Sequence, residues 1–289
     1  MNPRTQRAAI AVETVEILNR GVYAVNGAQI TLVPALEAMR RGTVLYTPSD
    51  LTALLETLDP PAPTATAIHV ANCTTLAAAK SLIDSGFANP LCLNFASAKN
   101  AGGGFLTGAQ AQEEYLARAS GLYAALTQKM DYYQSNRACG TALYTNHIIY
   151  APSVPVFRHD DDALMAAPYS VSIVTAPAVN AGAVRKNEQE NIARIRPCME
   201  ERIRSVLAVA RQCGHRALVL GAWGCGVFGN DPADVAQWFA DALLADARFA
   251  GAFARVIFAV LDFGEGAPTF QAFQSVFAPN SSRNGGDEL

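Results

Sequence analysis

Short apolar strands alternate with helices from residue 67 onward, and this alternation is the strongest constraint on the fold. Strands are predicted over Ala67–Ala71 and residues 91–96, and a helix over residues 75–85, ended by Gly86, lies between them. Strands joined by helices are typical of α/β domains, in which helices cover the faces of a sheet. We therefore predict an α/β fold.

The alternation continues through the rest of the chain. The acidic segment at residues 159–162 lies between two predicted strands, and we interpret it as an exposed loop without a site. Further strands are predicted over residues 146–150, 169–175, 217–222 and 255–261. Further helices are predicted over residues 110–128, 185–213, 232–245 and 269–277. The helical region at 185–213 is expected to be interrupted at Pro197.

The part of the chain before this alternation has a different pattern. Ala11, Val15 and Leu18 have helical spacing, and Asn26-Gly27 lies between two apolar stretches, as in a tight hairpin. A proline-rich stretch at residues 59–66 is typical of a linker. We therefore predict three parts: an N-terminal accessory segment of helix and hairpin over residues 1–58, a core over residues 67–279, and a polar C-terminal tail over residues 280–289.

Composition narrows the possible classes of function. Apolar residues make up 51% of the chain and charged residues 16%, which favours a folded protein. The formal net charge of −3 gives no general attraction to duplex DNA, and no apolar run approaches the roughly 18 residues that a membrane helix needs. The six cysteines contain no CxxC pair, so we expect reduced, mostly buried thiols and no zinc site. We predict a cytoplasmic protein that binds neither duplex DNA nor a membrane.

A glycine-rich loop follows the strand at residues 91–96 and leads into a helix. It holds Asn100 and Gly102-Gly103-Gly104, and Gln112-Glu113-Glu114 lie near the start of the helix predicted from residue 110. Glycine lets backbone N–H groups approach a ligand, and loops at the carboxyl ends of strands are where α/β sheets bind ligands. The same residues are also typical of a turn before an acidic first helical turn, in which Glu114 pairs with Arg118. This segment alone leaves both interpretations open.

A second glycine-rich loop follows the strand predicted over residues 217–222. It contains Gly224-x-Gly226-x-x-Gly229, the spacing of a dinucleotide-binding fingerprint. That fingerprint is followed by further strand–helix units, whereas one convincing strand remains in this chain, and Asp246 falls in a predicted helix. Backbone N–H groups of such a loop, with a helix N-terminus, can hold a diphosphate. We interpret the loop as a phosphate-binding loop, and a tight structural turn is the alternative.

Taken together, the two loops resemble those of the bacterial-type poly(ADP-ribose) glycohydrolases, a branch of the macrodomain superfamily. In that family three glycines are followed, after a short spacer, by Gln-Glu-Glu, and here seven residues separate Gly104 from Gln112. Residues 224–230 are similar to the family's diphosphate loop. The resemblance implies a macrodomain-like mixed β-sheet flanked by helices, with the N-terminal helix and hairpin as an accessory segment and ADP-ribose bound between the two loops.

The resemblance also implies roles for individual residues. Glu114 is the expected catalytic acid, and Glu113 is expected to hydrogen-bond a ribose hydroxyl near the scissile bond. Thr74 stands where related macrodomains often carry an Asp that reads the adenine amino group, and Phe263 is the candidate to stack on adenine. Substrate contacts are expected from both loops and from this adenine region, namely from Asn100, Gly102, Gly103, Gly104, Gln112, Gly224, Cys225, Gly226, Val227, Phe228, Asn230, Phe263 and Thr74.

The reaction implied by the resemblance is hydrolysis of the ribose–ribose O-glycosidic bond of poly(ADP-ribose), with release of ADP-ribose. The acidic net charge adds the expectation that release occurs from chain ends. Glu113 and Glu114 are adjacent on a helix and do not face each other, so we expect Glu114 to act first as acid and then as base. The implied partners are poly(ADP-ribose), ADP-ribose and ADP-ribosylated proteins, in a DNA-damage or stress response. No metal and no cofactor are implied.

Other functions stay open at this point. A macrodomain can bind ADP-ribose without cleaving it, and a related hydrolase removes single ADP-ribose units from proteins. The pair Glu113-Glu114 favours an enzyme over a reader, because binding alone does not need an acid. A nicotinamide-dependent oxidoreductase is the least favoured alternative, because the second loop lacks the context of a dinucleotide-binding fold.

Overall fold

A computed structural model describes residues 2–62 and 64–278, so the predicted polar tail at 280–289 lies outside the described residues. The strands within this part of the chain are β1 (Val22–Val25), β2 (Ala28–Thr31), β3 (Val44–Tyr46), β4 (Ala67–Ala71), β5 (Leu91–Phe95), β6 (Ile148–Arg158), β7 (Leu164–Ala176), β8 (Ala217–Leu220) and β9 (Arg255–Ala259). The α-helices are α1 (Pro3–Arg20), α2 (Val33–Gly42), α3 (Pro48–Thr57), α4 (Thr75–Asp84), α5 (Gln112–Ala119), α6 (Leu122–Leu126), α7 (Met130–Ala138), α8 (Ala181–Asn187), α9 (Ile195–Gln212), α10 (Pro232–Ala240) and α11 (Pro268–Phe277).

Within the described residues, seven strands form one mixed sheet in the order β3-β6-β7-β5-β8-β9-β4. The five strands from β7 to β4 in this order are parallel, β6 is antiparallel to β7, and β3 is antiparallel to β6. The predicted mixed α/β sheet is therefore confirmed. Because β5 and β8 are parallel neighbours, the loops that leave their carboxyl ends lie side by side at one edge of the sheet. The two glycine-rich loops are these loops.

Helices cover both faces of the sheet. Successive residues of β5 point to opposite faces, so that Leu91 and Leu93 pack in one apolar cluster and Cys92 packs in another. The first cluster includes Met199 of α9, and the second includes Leu116 of α5. Burial on both faces holds the sheet rigid at the point where the loops leave it. Among the described residues, no helix is both long and apolar enough to span a bilayer.

The predicted N-terminal helix and hairpin are both present. β1 and β2 pair antiparallel around Asn26 and Gly27, which both adopt the left-handed conformation that such a turn needs. The next strand, β3, nevertheless pairs with β6 in the large sheet. The boundary predicted between residues 58 and 67 stays a prediction, but residues 44–46 share the sheet of the core.

The helix predicted over residues 110–128 is wrong as one element, because it is divided into α5 and α6. Ser120 is extended and forms an antiparallel bridge with Val156 in β6. A Cβ atom at Gly121 would lie 3.0 Å from Pro155 Cδ, so the chain passes β6 closely at this point. Tertiary packing against β6 therefore overrides the local helical pattern.

The interruption predicted at Pro197 is also wrong. Pro197 lies in the first turn of α9, where its missing N–H needs no partner. The helical region breaks earlier, where α8 ends and a 3₁₀ segment, Gln189–Arg194, precedes α9. The expectation that the cysteines are mostly buried is corrected as well, because Cys92 is buried and the other five free thiols are partly exposed.

Candidate active site

The two glycine-rich loops enclose a cavity of about 390 Å³ at the carboxyl edge of the sheet. One wall comes from the start of α5, with Gln112, Glu113 and Glu114. The opposite wall comes from the loop after β8, with Gly224, Gly226, Val227 and Phe228. The structure therefore brings together the residues that the sequence placed far apart.

The side chain of Gln112 ties the start of α5 to β5. Its Oε1 accepts a hydrogen bond from Phe95 N (2.8 Å), and its Nε2 donates to Leu93 O (2.8 Å) and to Thr75 Oγ1 (3.1 Å). The amide thus satisfies two backbone groups of the strand, as a neighbouring strand would do. This clamp fixes where the two following glutamates enter the cavity.

Glu113 is a buried carboxyl, with 3% of its surface exposed. Its Oε2 accepts from Ser97 N (2.7 Å), and its Oε1 accepts from Asn94 Nδ2 (3.2 Å). Burial raises the pKa of Glu113 to about 8, and the neighbouring Glu114 adds to the rise, although the hydrogen bonds from Ser97 and Asn94 oppose it. Glu113 is therefore mostly protonated at neutral pH and can donate a hydrogen bond.

The raised pKa of Glu113 predicts a pH-dependent gain in stability for Glu113→Gln. Because the folded pKa lies above the ordinary 4.5, ionisation favours unfolding, so wild type loses stability relative to the variant as pH rises from 4.5 to about 8. We expect the difference in unfolding free energy to change by on the order of a few kcal/mol over this interval and then to level off. Urea denaturation at a series of pH values measures it.

The matched control is Glu56→Gln on α3, whose side chain is exposed. We expect its stability relative to wild type to be nearly independent of pH over the same interval. Parallel pH profiles for wild type and Glu113→Gln would show that Glu113 has no raised pKa.

Glu114 faces the cavity from the first turn of α5. Its Oε1 accepts a hydrogen bond from Gly104 N (2.9 Å), which fixes the carboxyl beside the glycine run. The predicted alternative, a pair with Arg118, is wrong, because Arg118 bonds instead to Asp162 Oδ1 (3.3 Å) and Gln110 Oε1 (2.7 Å). Among the described residues Glu114 forms no salt bridge.

The glycine run is required by the close approach of the two carboxyls. Gly103 has a φ of 60°, and a Cβ atom there would lie 2.4 Å from Glu114 Oε1 and 3.1 Å from Glu113 Oε2. Any larger residue would occupy the space of the carboxyl oxygens. Both carboxyls therefore lie beside the same residue and on one side of the cavity.

The loop after β8 lines the cavity and contains backbone donors without a partner among the described residues. The N–H groups of Gly226, Val227 and Phe228 form no hydrogen bond among the described residues. Asn230 is buried and shapes the loop, since its Nδ2 donates to Gly224 O (3.0 Å) and to Val179 O (2.8 Å). Such a loop is suited to bind the oxygens of a diphosphate.

The predicted contribution of a helix N-terminus to this loop needs correction. The Asp231 carboxylate caps α10, accepting from Ala233 N (2.8 Å) and Asp234 N (3.2 Å). A carboxylate that already binds these N–H groups leaves them occupied and repels a second anion. The donors for an anion therefore come from the loop itself.

A second cavity of about 400 Å³ adjoins the first and shares Phe95, Ala111 and Gln112 with it. Thr74, Cys225 and Phe263 line this second cavity, so the residues predicted for adenine lie away from the glutamates. Phe263 is 89% exposed, which leaves its ring free to cover a bound group. Burial raises the pKa of the Cys225 thiol to about 12, so it stays protonated and unreactive at neutral pH.

Five residues predicted to contact substrate line neither cavity, and they support the loops instead: Asn100, Gly102, Gly103, Gly104 and Asn230. Asn100 lines neither cavity, and its backbone accepts from Gly103 N (3.0 Å) and donates to Ser97 Oγ (3.1 Å). Asn230 also lines neither cavity, and its Nδ2 donates to Gly224 O and Val179 O. No group of three or more metal-binding side chains is found in the described ranges.

Sequence reasoning missed the residues that support the site from distant parts of the chain. Asn94 and Ser97 bind Glu113, and Asp160 binds Tyr115 and Thr74. Asp160 belongs to the acidic segment at residues 159–162, for which the sequence predicts an exposed loop without a site. Asp160 connects the β6–β7 turn with the starts of α4 and α5. These segments are far apart in the sequence, so no local sequence pattern predicts the contact.

Comparison with known proteins identifies the class of this site. A family model described as microbial-type PARG, catalytic domain, matches residues 11–159. The solved poly(ADP-ribose) glycohydrolase of Thermomonospora curvata is 48% identical, with a TM-score of 0.90 over 94% of this chain and 100% of that chain. Its complex with the inhibitor ADP-HPD is also 48% identical, with a TM-score of 0.88 over 94% and 100% of the two chains.

A second relative was solved with a nucleotide bound. The poly(ADP-ribose) glycohydrolase of Deinococcus radiodurans in complex with ADP-ribose is 48% identical, with a TM-score of 0.79 over 84% of this chain and 96% of that chain. A search of curated proteins found no match. The fold is macrodomain-like, with a mixed sheet flanked by helices. The chain belongs to the microbial-type poly(ADP-ribose) glycohydrolase family.

Proposed function

We propose that this chain hydrolyses ribose–ribose O-glycosidic bonds of poly(ADP-ribose) to ADP-ribose, with Glu114 as both acid and base. Family membership supports the reaction. The observation that carries the assignment of Glu114 is its position, because its carboxyl lines the same cavity as the diphosphate loop and is fixed by Gly104 N–H. In this position the Glu114 carboxyl can contact the ribose that is attached to a diphosphate bound by that loop.

In the proposed first step, the protonated Glu114 carboxyl gives its proton to the oxygen of the leaving ribose as the glycosidic C–O bond breaks. The remaining ribose becomes an oxocarbenium-like cation. In the second step water attacks the cation, and the Glu114 carboxylate takes the proton from that water.

Glu113 has a different role in this mechanism. Being mostly neutral, it can donate a hydrogen bond to a ribose hydroxyl and hold the sugar against Glu114. Because both carboxyls lie beside Gly103, they do not flank the scissile bond as the opposed pair of common glycosidases does. One carboxyl therefore performs both proton transfers.

The diphosphate loop predicts a binding defect for Gly224→Ala. Gly224 has a φ of 75°, and a Cβ atom would lie 2.5 Å from Ala178 Cβ and 2.6 Å from Asn230 Nδ2. The loop must shift, so we expect ADP-ribose affinity to fall about tenfold or more. Calorimetric titration with ADP-ribose measures this, with Gly140→Ala as control, since Gly140 is also left-handed but has open space around it. Equal affinities of the two variants would contradict a role of this loop in binding.

We further propose that the enzyme acts on the terminal unit of the polymer. The acidic net charge of −3 supports this, because it gives no general attraction along a long polyanion. Affinity should then depend on the concentration of chain ends and be nearly independent of chain length. Binding that strengthens steadily with length at a fixed concentration of ends would contradict it.

The implied protein partners, ADP-ribosylated proteins, would be carriers of the polymer. Activity on poly(ADP-ribose) and on a protein with single ADP-ribose units, compared at equal ADP-ribose concentration, separates this function from that of a mono-ADP-ribosyl hydrolase. We expect release from the polymer and little from the singly modified protein. The opposite preference would contradict the proposal. The cytoplasmic location and the absence of duplex-DNA binding stay predictions of the sequence.

A further inference from the structure

The hydroxyls of Thr74 and Tyr115 meet a single carboxylate at the wall of the second cavity. Asp160, in the turn between β6 and β7, accepts from Thr74 Oγ1 (2.8 Å) through one oxygen and from Tyr115 Oη through the other. Thr74 and Tyr115 both line the second cavity, whereas Asp160 does not. Asp160 can therefore affect a ligand in this cavity only through the hydroxyl groups of Thr74 and Tyr115.

Counting protons and lone pairs fixes the polarity of the two hydroxyls. An ionised carboxylate only accepts, so each hydroxyl must use its single proton for Asp160. Thr74 Oγ1 also accepts from Ala77 N (3.0 Å) as the cap of α4, and it lies 3.4 Å from Tyr115 Oη. Because the single proton of Tyr115 is used for Asp160, one lone pair of Thr74 Oγ1 stays free. Tyr115 Oη keeps its lone pairs. To a ligand in the cavity, both hydroxyls can act only as acceptors.

The adenosine end of the substrate reaches this cavity if the proposed function is correct, and the inference rests on that function. With the reacting ribose at Glu114 and the diphosphate on the loop at 224–228, both in the first cavity, the rest of ADP-ribose must extend into adjoining space. The second cavity adjoins the first at Phe95 and Gln112 and has a similar volume of about 400 Å³. The exposed ring of Phe263 lies at the same cavity.

We infer that Asp160 sets the base specificity of the enzyme. Because Asp160 accepts the hydroxyl protons of Thr74 and Tyr115, both hydroxyl oxygens act as hydrogen-bond acceptors toward the cavity. Two acceptors select a purine with an amino group at C6. Adenine presents a donor at this position. Hypoxanthine presents a carbonyl oxygen there, which would face two acceptors and lose its hydrogen bonds to water without replacement. Asp160 is a specificity-determining residue that acts through two others.

Calorimetric titration with ADP-ribose and with inosine diphosphate ribose, its hypoxanthine counterpart, tests this inference. We expect wild type to bind ADP-ribose about tenfold or more tightly than the hypoxanthine counterpart. In Asp160→Asn the amide NH₂ donates a hydrogen bond to one of the two hydroxyl oxygens. The proton of that hydroxyl is then free to turn into the cavity. The ratio of the two affinities should then fall toward equality. Asp160 is exposed in a turn, so this variant should fold, and thermal unfolding checks it.

Two further variants complete the experiment. Asp161→Asn, at the exposed neighbouring position, should keep the wild-type ratio. Tyr115→Phe removes one acceptor but keeps the ring, so it should weaken ADP-ribose more than the hypoxanthine counterpart. A merely structural role of Asp160 would weaken both nucleotides equally, and that result would overturn the inference.

The outcomes for wild type separate the inference from the function on which it rests. Wild type that binds both nucleotides with equal affinity would overturn the base-specificity inference and leave the proposed function standing. Wild type that binds neither nucleotide would overturn both.

Discussion

Glu114→Gln is expected to lower kcat for ADP-ribose release by about a hundred- to ten-thousandfold, the usual contribution of general acid–base catalysis. Glutamine keeps the size of the side chain and can still accept from Gly104 N–H through its amide oxygen, but it has no proton to give to the leaving ribose. ADP-ribose binding should therefore stay nearly unchanged. Steady-state hydrolysis of poly(ADP-ribose) and calorimetric titration with ADP-ribose measure the two quantities on the same preparation.

The control for this variant is Glu56→Gln, which removes an exposed carboxylate on α3 and should keep wild-type turnover. Retention of wild-type turnover by Glu114→Gln, with binding intact, would remove Glu114 from the mechanism. The buried Glu113 would then be the remaining carboxyl in the cavity and the next residue to test.

Gly103→Ala is expected to lower turnover about a hundredfold, because its methyl group would occupy the position of Glu114 Oε1, 2.4 Å away. The obstructing atom is the end of a side chain, so the protein can fold by moving the carboxyl. Moving it takes the proposed acid away from the substrate. The stability loss should be about 1–2 kcal/mol, as for any alanine forced into the left-handed conformation.

Gly140→Ala separates these two effects. Gly140 has a φ of 69°, close to that of Gly103, but a Cβ atom there would meet nothing within 4 Å. We expect a similar loss of stability and wild-type turnover for Gly140→Ala. Equal turnover of the two variants would contradict the close approach of Glu114 to Gly103.

The elements that bear the site were predictable because their signals are local. The strand at Ala67–Ala71 was predicted with its observed bounds, and the strand–glycine–helix order placed Gly103 in the loop and Glu114 near the start of the following helix. Parallel strands put the loops at their carboxyl ends at one edge of the sheet, but binding of one ligand between the two loops was implied by the family resemblance. Residue spacing therefore predicted the two loops, and the resemblance assigned them to one site.

Features that depend on contacts between distant segments were not predictable in the same way. The pairing of Ser120 with Val156 divides the predicted helix, and the pairing of Arg118 with Asp162 replaces the expected contact with Glu114. The high pKa of Glu113 results from burial, which a sequence does not show directly. Each of these features depends on β6 or on the turn that follows it, or on the degree of burial in the folded chain.

The central claim is that this chain releases ADP-ribose from poly(ADP-ribose) by means of Glu114. The most direct test incubates purified wild type and Glu114→Ala with poly(ADP-ribose), follows free ADP-ribose by chromatography, and measures ADP-ribose binding for both proteins. We predict release by wild type alone and binding by both. Binding by both proteins without release by either would contradict the claim and would identify an ADP-ribose reader or an enzyme for a different bond.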